Sequence, residues 1–176
     1  VVESTDGVSP LSFSNMTKSS YYIAIKHRNH LGIMTASPIG FNQATVSFDF
    51  SNATSSSIWN SQPMYDGNEQ ILNPNGTYAL WGGNTNLDNK IKYAGTNNDT
   101  SFIFYEIINY ANNYSDNYSY NLFTPFYSNA DTNMDAKIKY MGASNDLSII
   151  FYNTVNYPLN TNLLYLYNLF LQQIPE

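Results

Sequence analysis

NTNLDNKIKY at 84–93 and DTNMDAKIKY at 131–140 agree at seven of ten positions, and their tails match too: AGTNND follows the first, MGASND the second. Each stretch leads into an apolar run, TSFIFYEIINY at 100–110 and LSIIFYNTVNY at 147–157. The chain therefore holds two repeats, roughly 84–110 and 131–157, set 47 residues apart from Asn84 to Asp131. Each is a polar loop followed by an apolar element. Ile103, Phe104, Ile107 and Ile108 recur at helical spacing, as do Ile149, Ile150 and Val155, so the runs predict two helices packed on a core. Their β-branched and aromatic content would also suit strands. Asp99 with Thr100, and Asp146, stand where helix N-caps belong. Between the repeats, ANNYSDNYSYN at 111–121 reads as an exposed Asn/Tyr/Ser connector.

The loops carry the chemistry. Calcium takes six to eight oxygens, and short loops supply them from alternating positions. Asp131, Asn133 and Asp135 fall at positions 1, 3 and 5 of the second loop, and Lys137 at position 7 would offer its backbone carbonyl. Asn84, Asn86, Asp88 and Lys90 match them in the first. A twelve-residue EF-hand loop closes on an acid at position 12. Here that place is Gly142 in loop two, and the next acids, Asp99 and Asp146, both stand at position 16. The shared delay favours a real variant, a calcium loop bulged before it closes. Two calcium sites are expected, at 84–99 and 131–146. Loop two, with three acids against two, is expected to bind more tightly, although Lys90, Lys92, Lys137 and Lys139 must point outward for either loop to work.

Residues 1–60 read as β structure. In YYIAIKH (21–27), Tyr21, Ile23 and Ile25 face one way and Tyr22, Ala24 and Lys26 the other. LGIMTA (31–36) continues extended after the HRNH turn, and ATVSFDF (44–50) alternates Val46, Phe48 and Phe50 against polar neighbours. A DGVSP turn (6–10) precedes a short LSF strand. Strands about ten residues apart with turn signals between them suggest a β-sandwich. Pro and Gly punctuate 61–83, with NPNG (73–76) a strong turn signal. The expected organisation is a β-sandwich domain at 1–77 and a repeat domain at 78–176.

Composition narrows the partners. Charged residues are only 11% of the chain and net charge is −6. That field argues against a nucleic acid, which needs positive charge to displace counterions, and suits a cation. Low charge with abundant Asn, Ser, Thr and Tyr fits an exported surface protein. No Cys is present, so thiolate sites and disulfides are excluded. VVESTDGVSP lacks the features of a signal peptide and reads as mid-domain, which predicts a mature fragment. The apolar stretch LLYLYNLFL (163–171) is too short and polar to span a bilayer.

The pattern [DN]xNxDxKIKYxGxxND, twice, each time before a helix-like run, resembles the dockerin-like calcium-binding repeat pair that ends secreted Bacteroidota proteins of the hemagglutinin type. HRNHLGIMTA, with DGVSPLSF before it, resembles the β-domain preceding that pair, and QQIPE resembles the family's short tail. The resemblance covers most of the chain. It implies a mixed, mainly β fold: an Ig-like or prealbumin-like sandwich followed by two calcium loop–helix units. It further implies a secreted or cell-surface, non-enzymatic protein. The ligand positions it carries over are Asn84, Asn86, Asp88, Lys90 and Asp99, then Asp131, Asn133, Asp135, Lys137 and Asp146. Asn84 replaces a usual acid, and Asn89 and Ala136 replace a usual Gly. Ala tolerates the positive φ of that position poorly, so loop two is better charged yet more strained.

Other features are weaker. His27 and His30 flank Arg28 and Asn29 with no third ligand or nucleophile nearby in sequence, so a hydrogen-bonded turn is the better reading. Asp49, Asp66 and Glu69 are scattered acids, not a hydrolytic pair, and neither a nucleophile elbow nor a phosphate loop occurs. Trp59, Trp81, Tyr114, Tyr118 and Tyr120 could stack on sugars, which makes an adhesin or a protein- or glycan-binding module the alternative to a structural module. Self-association into a filament through an unpaired strand edge is a third. Six Asn-X-Ser/Thr sequons, at Asn15, Asn52, Asn75, Asn98, Asn113 and Asn117, are what this composition produces by chance.

Overall fold

The computed structural model describes residues 8–9, 11–42, 45–123, 127–170 and 173–175. Most of the DGVSP turn therefore lies outside the described residues. Among these residues the fold is mixed: short antiparallel two-stranded sheets and two α-helices, with no sheet closing. Strands β1 (Ser20–Tyr21), β2 (Ala24–Ile25), β3 (Ile33–Met34) and β4 (Ile39–Gly40) pair as β1 with β4 and β2 with β3. The predicted alternation holds there: Tyr21, Ile23 and Ile25 are half-buried while Tyr22, Ala24 and Lys26 are exposed. Residues 45–50 keep the same inward–outward alternation without forming a strand, and the LSF segment is exposed and non-strand. Phe48 and Phe50 pack instead on a small cluster of Ile33, Ala53 and Ile58. NPNG is a hairpin turn joining β5 (Ile71–Leu72) to β6 (Tyr78–Ala79), with Gly76 at a φ of 83° and the Asn75 side chain accepting the Thr77 N–H.

The repeats build the larger core. Each loop ends in a two-residue strand, β7 (Lys90–Ile91) or β9 (Lys137–Ile138), and continues into a helix, α1 (Asp99–Ile108) or α2 (Leu147–Val155). Helix wins over strand because the run is capped and because its apolar residues stack four apart. Ile103 and Ile107 are fully buried on α1, and Ile150 and Thr154 on α2, whereas Phe104, Ile108 and Ile149 are only half-buried. Complete burial of each Ile is worth about 1.5–3 kcal/mol. They join Leu31, Trp81, Ile91, Leu122, Ala130, Ile138 and Tyr157 in one cluster. Leu31 comes from the stretch just after the HRNH turn, so the β-rich half contributes to the core of the repeats.

Pairing is crossed. Strand β8 (Leu122–Phe123), which follows α1, pairs with β9 of the second repeat, and β10 (Leu169–Phe170), which follows α2, pairs with β7 of the first. The helices follow suit, α1 packing on β9 and α2 on β7. The duplication also runs further than the sequence match. Asn113 donates through Nδ2 to the carbonyls of Ile107 and Asn117, and Asn160, 47 residues on, donates to those of Thr154 and Leu164. The connector is exposed as expected at 114–119, but Asn113 itself is buried because it ends the helix.

Candidate cation loops

Each helix begins with a division of labour between two adjacent polar residues. Asn98 Oδ1 accepts the Ser101 N–H at 2.8 Å and Asn145 Oδ1 that of Ser148 at 3.0 Å. The N-cap of α1 is thus Asn98, one residue before the expected Asp99, whereas Asp146 does occupy the N-cap position of α2 and the side chain of Asn145 supplies the hydrogen bond there. The aspartates turn back into the loops. Asp99 Oδ1 accepts the N–H groups of Thr85 (2.7 Å) and Asn86 (3.3 Å), and its Oδ2 that of Lys92 (2.7 Å). Asp146 accepts from Thr132 (2.8 Å), Asn133 (3.4 Å) and Lys139 (2.7 Å) in the same way. Both are fully buried. Burial pushes Asp99 up to about 7 and Asp146 to about 6, against the opposing pull of those N–H donors. Asp99 and Asp146 thus tie the start of each loop to the residue after its short strand through backbone amides.

Inside the loops the alternating residues bend the chain. Asn86 Oδ1 accepts the Asp88 N–H and Asp88 Oδ1 that of Lys90, both at 3.1 Å; Asn133 and Asp135 repeat these bonds at 3.0 Å. Positions 4 and 6 are left-handed, with φ of 62° and 64° at Leu87 and Asn89 and of 59° and 61° at Met134 and Ala136. Ala136 so carries the strain its side chain implies, about 1–2 kcal/mol. The asparagines at position 3 also brace the outer turn, Asn86 Nδ2 to the Asn97 carbonyl and Asn133 Nδ2 to that of Ser144. Lys92 and Lys139 place their ammonium groups on the exposed carbonyls of Thr96 and Ala143.

Position 1 separates the two copies. In loop one, Asn84 is 3% exposed and its Oδ1 has no hydrogen-bond partner among the described residues. In loop two, Asp131 is equally buried, but its Oδ1 accepts from the Asp135 N–H (3.1 Å) and its Oδ2 from the Ala136 N–H (3.2 Å). Arg28 Nη2 lies 3.2 Å from that same Oδ2. A buried amide oxygen without a partner is costly unless something fills it, and a hard cation is the kind of group that would. Among the described residues no three His, Asp or Glu side chains gather as a metal cluster. A cation in loop one would therefore lean on the amide oxygens of Asn84 and Asn86, the Asp88 carboxylate and the carbonyl of Lys90, and one in loop two on the carboxylates of Asp131 and Asp135, the amide oxygen of Asn133 and the carbonyl of Lys137. These donor sets fit a weakly held calcium ion.

The HRNH turn joins the loops. The His30 N–H bonds the His27 carbonyl at 2.8 Å, and the two imidazole Nδ1 atoms lie 3.0 Å apart, as a hydrogen-bonded turn requires. Asn29 is fully buried. Its carbonyl accepts the N–H groups of Gly83 (2.8 Å) and Asn84 (2.9 Å), and its Nδ2 donates to the carbonyls of Asn129 (2.9 Å) and Asp131 (2.8 Å). Arg28 Cζ sits 4.5 Å over the Tyr127 ring. Sequence reasoning missed the contacts of Arg28 and Asn29, whose partners lie about 54 residues away in loop one and about a hundred in loop two. Their one sequence signal is a run of four polar residues between apolar strands. Of the aromatics weighed for stacking, Trp81 is buried, its Nε1 donating to the Asn68 carbonyl and its ring 5.2 Å from Tyr157, while Tyr114 is 90% exposed. No helix among the described residues is long and apolar enough to cross a membrane. Comparison with family models, with curated proteins and with solved structures returned no match.

Proposed function

We propose that this chain is a non-enzymatic structural module of a secreted or cell-surface protein, in which two dockerin-like loops are stabilised by calcium beside an Ig-like or prealbumin-like β region. The observation that carries it is the repeated loop geometry. The same side chains bend both loops, the same aspartates close them, and loop one leaves the buried Asn84 Oδ1 open. A loop bent by Asn and Asp side chains and closed by a buried carboxylate folds around an ion without performing chemistry on it. Its ligands suit the weak affinity, about 10⁻⁴–10⁻³ M, at which extracellular modules fill. Calcium that binds only the folded chain stabilises it by about 2.7 kcal/mol at a hundredfold excess over Kd. For a chain of this size that raises the melting midpoint by roughly 5–10 °C. A midpoint unchanged between chelator and saturating calcium rejects the reading.

A binding role is the second reading, favoured by the exposed aromatic and aliphatic side chains of Tyr114, Leu163, Leu164, Tyr165 and Leu166. Glycan-array and pull-down experiments in calcium test it, and silence in both counts against it.

A further inference from the structure

Resting on the calcium reading, a further inference concerns which loop takes the ion and what holds the other one. Counting carboxylates favours loop two: Asp131, Asp135 and Asp146 against Asp88 and Asp99. Position 1 reverses that order. Asn84 Oδ1 is buried and has no partner among the described residues, which leaves its lone pairs available to a ligand. Asp131 already receives three donors, the N–H groups of Asp135 and Ala136 and the Arg28 guanidinium. The ion pair is sheltered, with the two side chains only 10% and 4% exposed. Arg28 is also fixed from behind, its guanidinium over the Tyr127 ring and its own N–H donating to the Tyr127 hydroxyl at 3.2 Å. A positive charge so placed cancels one of loop two's three acids and repels a second cation.

We propose that Arg28 is the resident counter-cation of loop two, holding that loop in its folded form without metal, and that calcium fills loop one first. Asn29, which bonds the opening residues of both loops, keeps the Arg28 turn seated on them.

Calorimetric titration of calcium into the chelator-stripped chain decides this. In the wild type the tighter class of site is expected to survive Asp135→Asn and to disappear with Asp88→Asn. Arg28→Gln is expected to tighten the weaker class by at least about tenfold, the effect of removing a unit charge a few ångströms from a divalent ion. That gain is expected to vanish when Asp135→Asn is added. A tighter class lost in Asp135→Asn and kept in Asp88→Asn overturns the proposal, as does a weaker class that Arg28→Gln leaves unmoved. If Arg28→Gln fails to fold, the two loop variants in the wild-type background still decide the filling order. Absence of calcium binding in every variant rejects the calcium reading itself, whereas a reversed order rejects only the role of Arg28.

Discussion

Asn29 concentrates at one residue the connection between the β-rich half and the two repeats. Its carbonyl and its amide serve opposite partners: two N–H groups at the start of loop one and two carbonyls at the start of loop two. Only a side chain with two N–H donors on one nitrogen can bond both carbonyls, which is what Asn supplies. Asn29→Ala leaves both carbonyls buried and unpaired, at about 1–3 kcal/mol each. Asn29→Asp is expected to be worse, because it turns an acceptor toward two acceptors. Thermal melts should show Asn29→Ala lowered by roughly 5–15 °C at this chain length, and a drop of less than about 2 °C would remove Asn29 from this role. Gly83 shows a related economy. Its φ is 117°, and a Cβ there would come within 3.1 Å of Ile150, whereas the corresponding residue of the second repeat, Ala130, is outside the left-handed region. The repeats enter their loops differently even though they leave them alike.

At the scale of the loop–helix element, the buried aspartates make stability depend on pH and on metal together. Asp99 and Asp146 have folded values raised above the ordinary carboxylate range, chiefly by burial. Folding therefore takes up protons. The stabilisation is complete below about 4, where both states are protonated, and is lost as pH rises through about 6 and then about 7. His30, lowered to about 4 chiefly by burial, works the other way: its contribution is present above about 6.5 and lost as pH falls toward 4. The opposing groups partly cancel between 4 and 6.5, so the informative window is pH 6.5–8, where Asp99 is still losing its proton. The chelated protein should melt lower at pH 8 than at 6.5, and the increment from calcium should be larger at pH 8, where no proton need be displaced. Melts in chelator and in calcium at both pH values check it, and an increment that shrinks with rising pH contradicts the coupling. The duplicated loops and both helices were legible in sequence because alternating Asx residues and apolar residues at helical spacing act locally. On α1 the cap lies one residue before the expected Asp99 because Asn98 and Asp99 are both good caps, and only the loop's unsatisfied amides decide which one turns back. Arg28 on Asp131 was illegible for a different reason: the pair is set by packing across the whole chain.

For the whole molecule, the crossed pairing means that neither repeat is complete alone. The strand after each helix completes the other repeat's loop, and the reciprocal contacts of α1 with β9 and α2 with β7 bury Ile138 and Ile91 against the opposite helix layer. The tail adds a second tie. Gln173 is fully buried, its Oε1 accepting the Ser61 N–H at 2.9 Å, and Ile174 lies over Gly32, where a Cβ would meet its Cδ1. The glycine of HRNHLG is thus the seat of the chain's last described residues. Removal of residues 169–176 tests this arrangement by where the damage falls. A chain of sequentially independent repeats would lose order in repeat two, next to the cut. The crossed fold instead predicts that β7 loses its partner, so the amides of Ile91 and loop one should exchange faster with solvent. That of Ile138, still paired with β8, should stay protected. Loop one should also lose calcium affinity although every residue from Asn84 to Asp99 is intact, because the carbonyl of Lys90 is positioned by the strand that β10 holds. Hydrogen exchange that rises in loop two and leaves loop one unchanged would show that the pairing is not crossed.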